Sequence, residues 1–254
     1  MHLGAAYIED PRAHQARIVS FLRSLKDKAE SVYILGDALD YWYEYRTVVP
    51  RGYVRFFGAL AELADAGVEI VWLTGNHDIW LFDYLRDEIG ISVYDPGADG
   101  LVREISGKKF FLAHGDAFGP RSVSFRLIQR LFRNRVCQKL YSSIHPRWTV
   151  GFAHSWSSHS RKSGMMPGDE SERYFKTNVL PGLKCFCRKL IEQEPDLDFI
   201  MLGHHHIVFD EAVSDRCRLL VIGDWISHFS YAVFDGENVE IKQYDSRSFT
   251  INQF

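Results

Sequence analysis

Carboxylate, carboxamide and imidazole side chains recur along this chain in five short motifs. They are His2-Leu3-Gly4, Gly36-Asp37-Ala38-Leu39-Asp40, Gly75-Asn76-His77-Asp78, His114-Gly115-Asp116 and Gly203-His204-His205-His206. Hydrated divalent ions take oxygen and nitrogen donors of these kinds, and two ions about 4 Å apart need a carboxylate able to bridge them. Asp37 follows a glycine, which lets the backbone turn sharply and frees the carboxylate for that role. Asn76 offers a neutral carbonyl oxygen, and His114, His204 and His206 offer imidazoles. Residues two apart on an extended segment project to the same side, so His204 and His206 can each serve a different ion while His205 points away. Taken singly, Gly36-Asp37 reads as a turn, His114 as a core histidine and the three-histidine run as exposed surface. In this order, each at the end of an apolar run, they read as one site.

The elements that must position them alternate in type. Ile18, Val19, Phe21, Leu22 and Leu25 recur at helical spacing, and Val32-Tyr33-Ile34-Leu35 then reads as a buried strand stopping at Gly36-Asp37. Val54, Phe57, Leu60, Ala61 and Ala64 give a second helical face, followed by a strand from Glu69 to Leu73 that stops at Gly75-Asn76-His77-Asp78. Lys109 to Ala113 ends at His114, and Phe199 to Leu202 ends at Gly203-His204. Ligands of open α/β sheets bind beyond the carboxyl ends of strands, so motifs distant in sequence are expected to converge. Beyond residue 206 strands dominate, at Arg218 to Ile222, Ser230 to Phe234 and Val239 to Tyr244. The expected class is α/β, with two packed mixed β-sheets flanked by helices in one domain spanning residues 1–254.

A basic stretch at about residues 118–165 interrupts that rhythm. No Asp or Glu lies between Asp116 and Asp169, whereas Arg121, Arg126, Arg130, Arg133, Arg135, Lys139, Arg147, Arg161 and Lys162 do. The net charge of −3 therefore divides into +9 here and −12 elsewhere, and such an island should face an anion. Phe125, Ile128, Phe132, Val136 and Leu140 share one helical stripe, with Trp148, Val150, Phe152 and Trp156 after it. The segment reads as an inserted helical lid; the bland alternatives are a solvated amphipathic helix pair or a dimer contact.

Composition bounds the rest. At 254 residues, 46% hydrophobic and 14% aromatic, the chain can bury one large core. No run approaches the roughly 20 apolar residues that span a bilayer, and no secretory leader is legible, so a cytoplasmic location is expected. Cys137, Cys185, Cys187 and Cys217 form no C-x-x-C pair, so reduced thiols are expected and a zinc knuckle is not.

On these five motifs the chain resembles the calcineurin-like metallophosphoesterase superfamily, whose pattern runs D-x-H, G-D-x-x-D/E, G-N-H-D/E, a later histidine and G-H-x-H. The resemblance covers nearly the whole chain. It implies that His2, Asp37 and His206 serve one metal, that Asp37, Asn76, His114 and His204 serve the other, and that manganese or a similar ion occupies both. The metals would activate a bridging hydroxide for in-line attack on phosphorus and neutralise the charge that builds on the phosphoryl oxygens. His77 would stabilise a phosphoryl oxygen or protonate the leaving group, Asp78 would orient His77, and Asp40 would support the ligands from behind. Met1 stands at the variable position of D-x-H, so the written start is expected to fall inside the first metal motif.

A narrower resemblance rests on Asp37-Ala38-Leu39-Asp40-Tyr41-Trp42, on His114-Gly115-Asp116 opening onto the basic insertion, and on Phe125-Arg126 where the lid begins. These features are similar to the UDP-2,3-diacylglucosamine pyrophosphatase branch of lipid A synthesis, which implies release of UMP and the diacylated sugar phosphate. Proteobacterial members usually carry arginine where this chain has His77. Asn76, Trp42, Arg126, Arg161 and Lys162 are the expected substrate contacts; Trp42 and Trp80 could stack on uracil or simply pack. Arginines suit pyrophosphate and acidic headgroups, and interleaved apolar residues suit acyl chains, so the expected partner is a UDP-linked diacyl sugar lipid met peripherally at the cytoplasmic face of the inner membrane. Nucleic acid ranks lower as a partner. Two alternatives stay open: a phosphodiesterase or nucleotide hydrolase with soluble substrates, and a weakly active binding module, since the first-motif acid is absent.

Overall fold

The computed structural model describes residues 1–97, 99–118, 123–146, 148–149 and 168–245. They group into two compact units: Met1–Asp95 with Ser122–Gly164 and Asp245–Phe254, and Pro96–Arg121 with Met165–Tyr244.

The first unit carries β1 (Ser31–Leu35), β2 (Glu69–Leu73) and β3 (Ser92–Tyr94) as an all-parallel sheet in the order β1-β2-β3. Parallel neighbours need a crossover, supplied by α2 (Val54–Asp65) between β1 and β2 and by α3 (Tyr84–Ile89) between β2 and β3. Before them comes α1 (Pro11–Ser24), whose start is set by Pro11 and by Asp10, which accepts hydrogen bonds from the amides of Arg12 and Ala13. Ile18 and Leu22 of α1 and Phe56, Leu60 and Leu63 of α2 are buried, and Phe56 meets Trp72 of β2 edge-on at 6.0 Å.

The described part of the basic insertion, residues 123–146 and 148–149, belongs to this unit. The residues read as one helical stripe are divided between two helices, α4 (Val123–Arg133) and α5 (Arg135–Ser142). The break is at Asn134, whose side chain accepts the Val136 and Cys137 amides and so caps α5. Both helices are clasped by aromatics that follow the ligand motifs. Trp80 donates its indole N–H to the Phe132 carbonyl at 2.9 Å, Tyr43 donates its hydroxyl to the Gln138 carbonyl at 2.6 Å, and the Tyr41 and Tyr141 hydroxyls lie 3.1 Å apart. Trp80, 8% exposed, also packs its ring on Phe132 and Tyr141. Trp80→Ala is therefore expected to destabilise the protein by about 3 kcal/mol in denaturant titrations. It should also speed tryptic cleavage at Arg133 and Arg135; unchanged cleavage would mean that the clasp does not hold the helices.

The second unit holds β4 (Leu101–Ile105), β5 (Lys108–Ala113), β6 (Phe199–Leu202), β7 (Val208–Ala212) and β8 (Arg218–Ile222) as one mixed sheet in the order β4-β5-β6-β8-β7. Its three central strands are parallel and its two edges antiparallel. Alternation along β5 sends Phe111 and Ala113 into a cluster with Leu183, Cys187 and Leu190. Those last three lie on α7 (Leu180–Gln193), which follows α6 (Gly168–Tyr174) and a π-helical turn at Phe175–Val179. On the other face Phe110 and Phe199 stack on each other and meet Phe234 of the β9 (Ser230–Phe234) and β10 (Val239–Gln243) hairpin. Among the described residues no helix is long and apolar enough to cross a membrane.

Candidate metal centre

In both units the expected ligands stand just beyond parallel strands. Asp37 follows β1 and Asn76 and His77 follow β2 in the first unit; His114 follows β5 and His204 to His206 follow β6 in the second. Four of these residues hold a backbone that L side chains rarely adopt, with φ of 53° at His2, 52° at Asp37, 64° at His204 and 54° at His206. Each such residue costs of the order of 1 kcal/mol, a strain retained where side-chain aim matters more than stability.

In the first unit Asp37 is 4% exposed, and its Oδ1 accepts the His77 amide at 2.9 Å. Its Oδ2 lies 3.6 Å from His2 Nε2, while His2 Nδ1 lies 3.4 Å from Asp40 Oδ1. His2 thus stands between two acids, one behind each ring nitrogen. His77 Nδ1 faces the Asp40 carbonyl at 3.0 Å, and donor atoms of His2, Asp40 and His77 lie within 4.8 Å of one another. The support given to His77 differs from expectation. Asp78 is wholly buried, and its carboxylate accepts the Gly75 amide at 2.7 Å, the Ala38 amide at 2.9 Å and the Trp72 indole N–H at 3.2 Å. Asp78 therefore ties the β1 and β2 loops together, and Asp40 is the residue that holds the His77 ring. Asn76 is half-buried in the same turn.

In the second unit His114 Nε2 and His204 Nδ1 lie 3.2 Å apart. Two nitrogens bound to one ion at about 2.1 Å are separated by roughly 3.0–3.4 Å, so this pair fits a shared divalent ion. Gly115, at φ 109°, permits the approach: a Cβ there would come within 3.1 Å of the Gly203 carbonyl and 3.4 Å of the His204 Cβ. His206 Nδ1 lies 3.1 Å from Asp224 Oδ2. Burial pushes the Asp224 carboxyl up, but the hydrogen bonds from His206 and from the His228 and Ser227 amides outweigh it and hold the group far below the usual carboxylate range. Sequence reasoning missed Asp224, although Leu35-Gly36-Asp37 and Ile222-Gly223-Asp224 are the same strand-end signature.

His205 turns towards Phe175, with ring centroids 5.6 Å apart. Burial, with His114 and His206 nearby, pushes its imidazole down from 6.5 to about 4. Because folding depresses this pKa, the stability it represents is complete above the unfolded value and drains as pH falls through the folded one. The metal-stripped protein should therefore lose up to about 3 kcal/mol between pH ~6.5 and ~4 from this group alone. Denaturant midpoints measured across that range should show a shallower decline in His205→Phe; identical profiles would refute the assignment.

The expected substrate contacts fall differently. Trp42 is fully buried: its indole N–H donates to Glu44 at 3.0 Å and its ring packs on Phe57, Tyr53 and Tyr84. No face of Trp42 is left for a uracil, because the residue forms the core behind the β1 loop. Trp80 likewise serves the lid clasp. Arg126 lies on α4, with its side chain outside the described atoms, and Arg161 and Lys162 lie outside the described residues.

Strand-end histidines and acids are a donor set suited to divalent metals, and residues 2–208 match the calcineurin-like phosphoesterase family, to which the chain belongs. That family works with divalent metals. The chain is 43% identical over 250 residues, 95% of its length and 94% of the relative's, to a Porphyromonas gingivalis protein named UDP-2,3-diacylglucosamine hydrolase. Relatives of the same name are each 26% identical: one from Xanthomonas oryzae pv. oryzae, covering 89% of this chain and 90% of that protein, and one from Stenotrophomonas maltophilia, covering 81% and 82%.

Proposed function

We propose that the protein hydrolyses the pyrophosphate of UDP-2,3-diacylglucosamine in lipid A synthesis, giving UMP and 2,3-diacylglucosamine 1-phosphate. The observation that carries the substrate is the identity, sustained along 95% of the chain, to a protein bearing that name. The family pattern assigns His2, Asp37 and His206 to one metal, taken as manganese, and Asp37, Asn76, His114 and His204 to the other. The metals, when bound, supply an activated water and offset the charge on the reacting phosphoryl group.

The chain's own residues do the remainder. The P–O bond that breaks joins the uridine-bearing phosphorus to the bridging oxygen, and water's oxygen ends in UMP. His77, with Nδ1 committed to the Asp40 carbonyl, presents Nε2 to a phosphoryl oxygen or to the departing phosphate. Asp78 keeps the two loops at a fixed separation, so that His77 and Asp37 move as one body.

The lid supplies the apolar partner in this reading. Trp80, Leu131, Phe132, Leu140, Tyr141 and Ile144 help to line a cleft of about 260 Å³, suited to an acyl chain. Leu127, Val136, Leu140 and Trp148 are each more than 60% exposed, with Arg130, Arg135 and Lys139 exposed among them. An anionic bilayer matches both the apolar and the basic parts of this surface, which supports peripheral contact at the cytoplasmic face of the inner membrane. The test is competition between diacylated and deacylated UDP-glucosamine. A strong preference for the diacylated compound is expected; equal turnover would favour a hydrolase of soluble nucleotides.

A further inference from the structure

Three parallel strands of the second unit, β5, β6 and β8, each deliver a polar residue at their carboxyl end, and the one on β8 is Asp224. It is 8% exposed and its two oxygens have different work. Oδ1 accepts the backbone amides of Ile226, Ser227 and His228 at 3.0, 2.8 and 3.0 Å, closing the turn that follows β8. Oδ2 faces His206 Nδ1 at 3.1 Å. The Ser227 hydroxyl reaches both oxygens, at 3.2 and 3.1 Å, and His228 Nδ1 lies 3.5 Å from Oδ1.

We propose that Asp224 is a positioning residue that holds His206 as the Nδ1–H tautomer and so presents the Nε2 lone pair to a divalent metal ion. The proposal rests on the two-metal reading above. A carboxylate only accepts, so the hydrogen on this contact belongs to His206, and a neutral imidazole with hydrogen on Nδ1 carries its lone pair on Nε2. Three main-chain donors fix the carboxylate's orientation, so Oδ2 cannot swing away from the ring. The first unit repeats the device: Asp40 stands behind Nδ1 of His2, and Nε2 of His2 faces Asp37. His2 and His206, both assigned as metal ligands, are thus each backed by an aspartate, an arrangement that fixes ring orientation and raises ligand basicity.

Asp224→Asn discriminates this from a purely structural role. The amide must keep its oxygen on the three backbone N–H groups, which turns its NH2 towards His206 Nδ1. That nitrogen then has to accept, the hydrogen moves to Nε2, and the lone pair meant for the metal is lost while the turn survives. Two readouts are needed, both on chelator-stripped protein: long-range proton–nitrogen correlations of labelled histidines, assigned with His206→Gln, and calorimetric titration with manganese. Wild type should show Nδ1–H at His206 and bind two ions per chain. Asp224→Asn should reverse the tautomer and weaken one of the two sites about 10- to 100-fold. Nε2–H at His206 in the wild type overturns the proposal whether or not the variant folds. Two sites of unchanged affinity in Asp224→Asn also overturn it, while leaving the two-metal reading intact. Failure of that reading has a different signature, no manganese binding by wild type and no change on His206→Ala, and it removes the proposal with it.

Discussion

Asp37→Ala is expected to lower kcat by at least about 10³-fold with manganese saturating, because it removes the one carboxylate assigned to both metals. The residue is buried at the end of β1, at φ 52°, with its carbonyl accepting the His2 amide at 2.8 Å and Oδ1 accepting the His77 amide. Two acids of the same loops face elsewhere: Asp40 Oδ1 lies behind His2 Nδ1, and Asp78 accepts the Gly75 and Ala38 amides. Alanine tolerates a positive φ no better than aspartate and leaves the His77 amide without its acceptor, so some stability is lost too and kcat is compared per folded chain. Metal content per chain, measured alongside kcat, should fall. Activity within tenfold of wild type would show that Asp37 bridges nothing. His205→Ala, which removes a ring facing Phe175, should by contrast keep most of the activity.

Gly75→Ala carries the second large effect. Gly75 is not in the left-handed region, so an alanine there costs no backbone strain; its obstacle is space. The added methyl would overlap the Asp37 carboxylate and lie 2.6 Å from the Asp37 amide nitrogen and 2.9 Å from Cγ. Neither loop can yield easily, since the Gly75 amide is held by Asp78 and the Asp37 carbonyl by His2. Forced overlap of this kind costs about 1–3 kcal/mol. A shift of about 1 Å in a group that must hold the reactants is enough to lose about 10² in kcat. Gly58 is the control, since a Cβ there meets nothing within 4 Å on α2. Gly58→Ala should stabilise by about 0.5–1 kcal/mol with kcat unchanged. Equal behaviour of the two variants would contradict the steric account.

The ligand-bearing strands were legible because they are apolar: β1, β2, β5 and β6 read directly as runs followed by Gly-Asp, Gly-Asn, His or Gly-His. The strands that were not legible, β3, β4 and β7, are edges. β3 has three residues, while β4 and β7 alternate exposed with half-buried positions, as in Leu101-Val102-Arg103-Glu104-Ile105, and no position in them is fully buried, a pattern too short and too polar to separate from a loop. The lid stripe was visible, but its break was not, because Asn134 is tolerated inside a helix and becomes a cap only once its side chain turns back on α5. Trp42 shows the limit in the site itself. A tryptophan five residues past the bridging acid has the same sequence signal whether it faces a ligand or the core, and only the packing of Tyr53, Phe57 and Tyr84 around it decides. Asp78 and Asp224 are similar cases: the acids were present in the sequence, but what each supports depends on which donors the folded loops bring to it.

The most direct measurement is UMP release from UDP-2,3-diacylglucosamine by the full chain, with manganese present and after chelation. The account predicts UMP and the diacylated sugar 1-phosphate in equal amounts, with water's oxygen in UMP, and loss of the reaction on chelation that manganese restores. No turnover of this lipid under conditions where the same preparation cleaves simple phosphodiesters would contradict it.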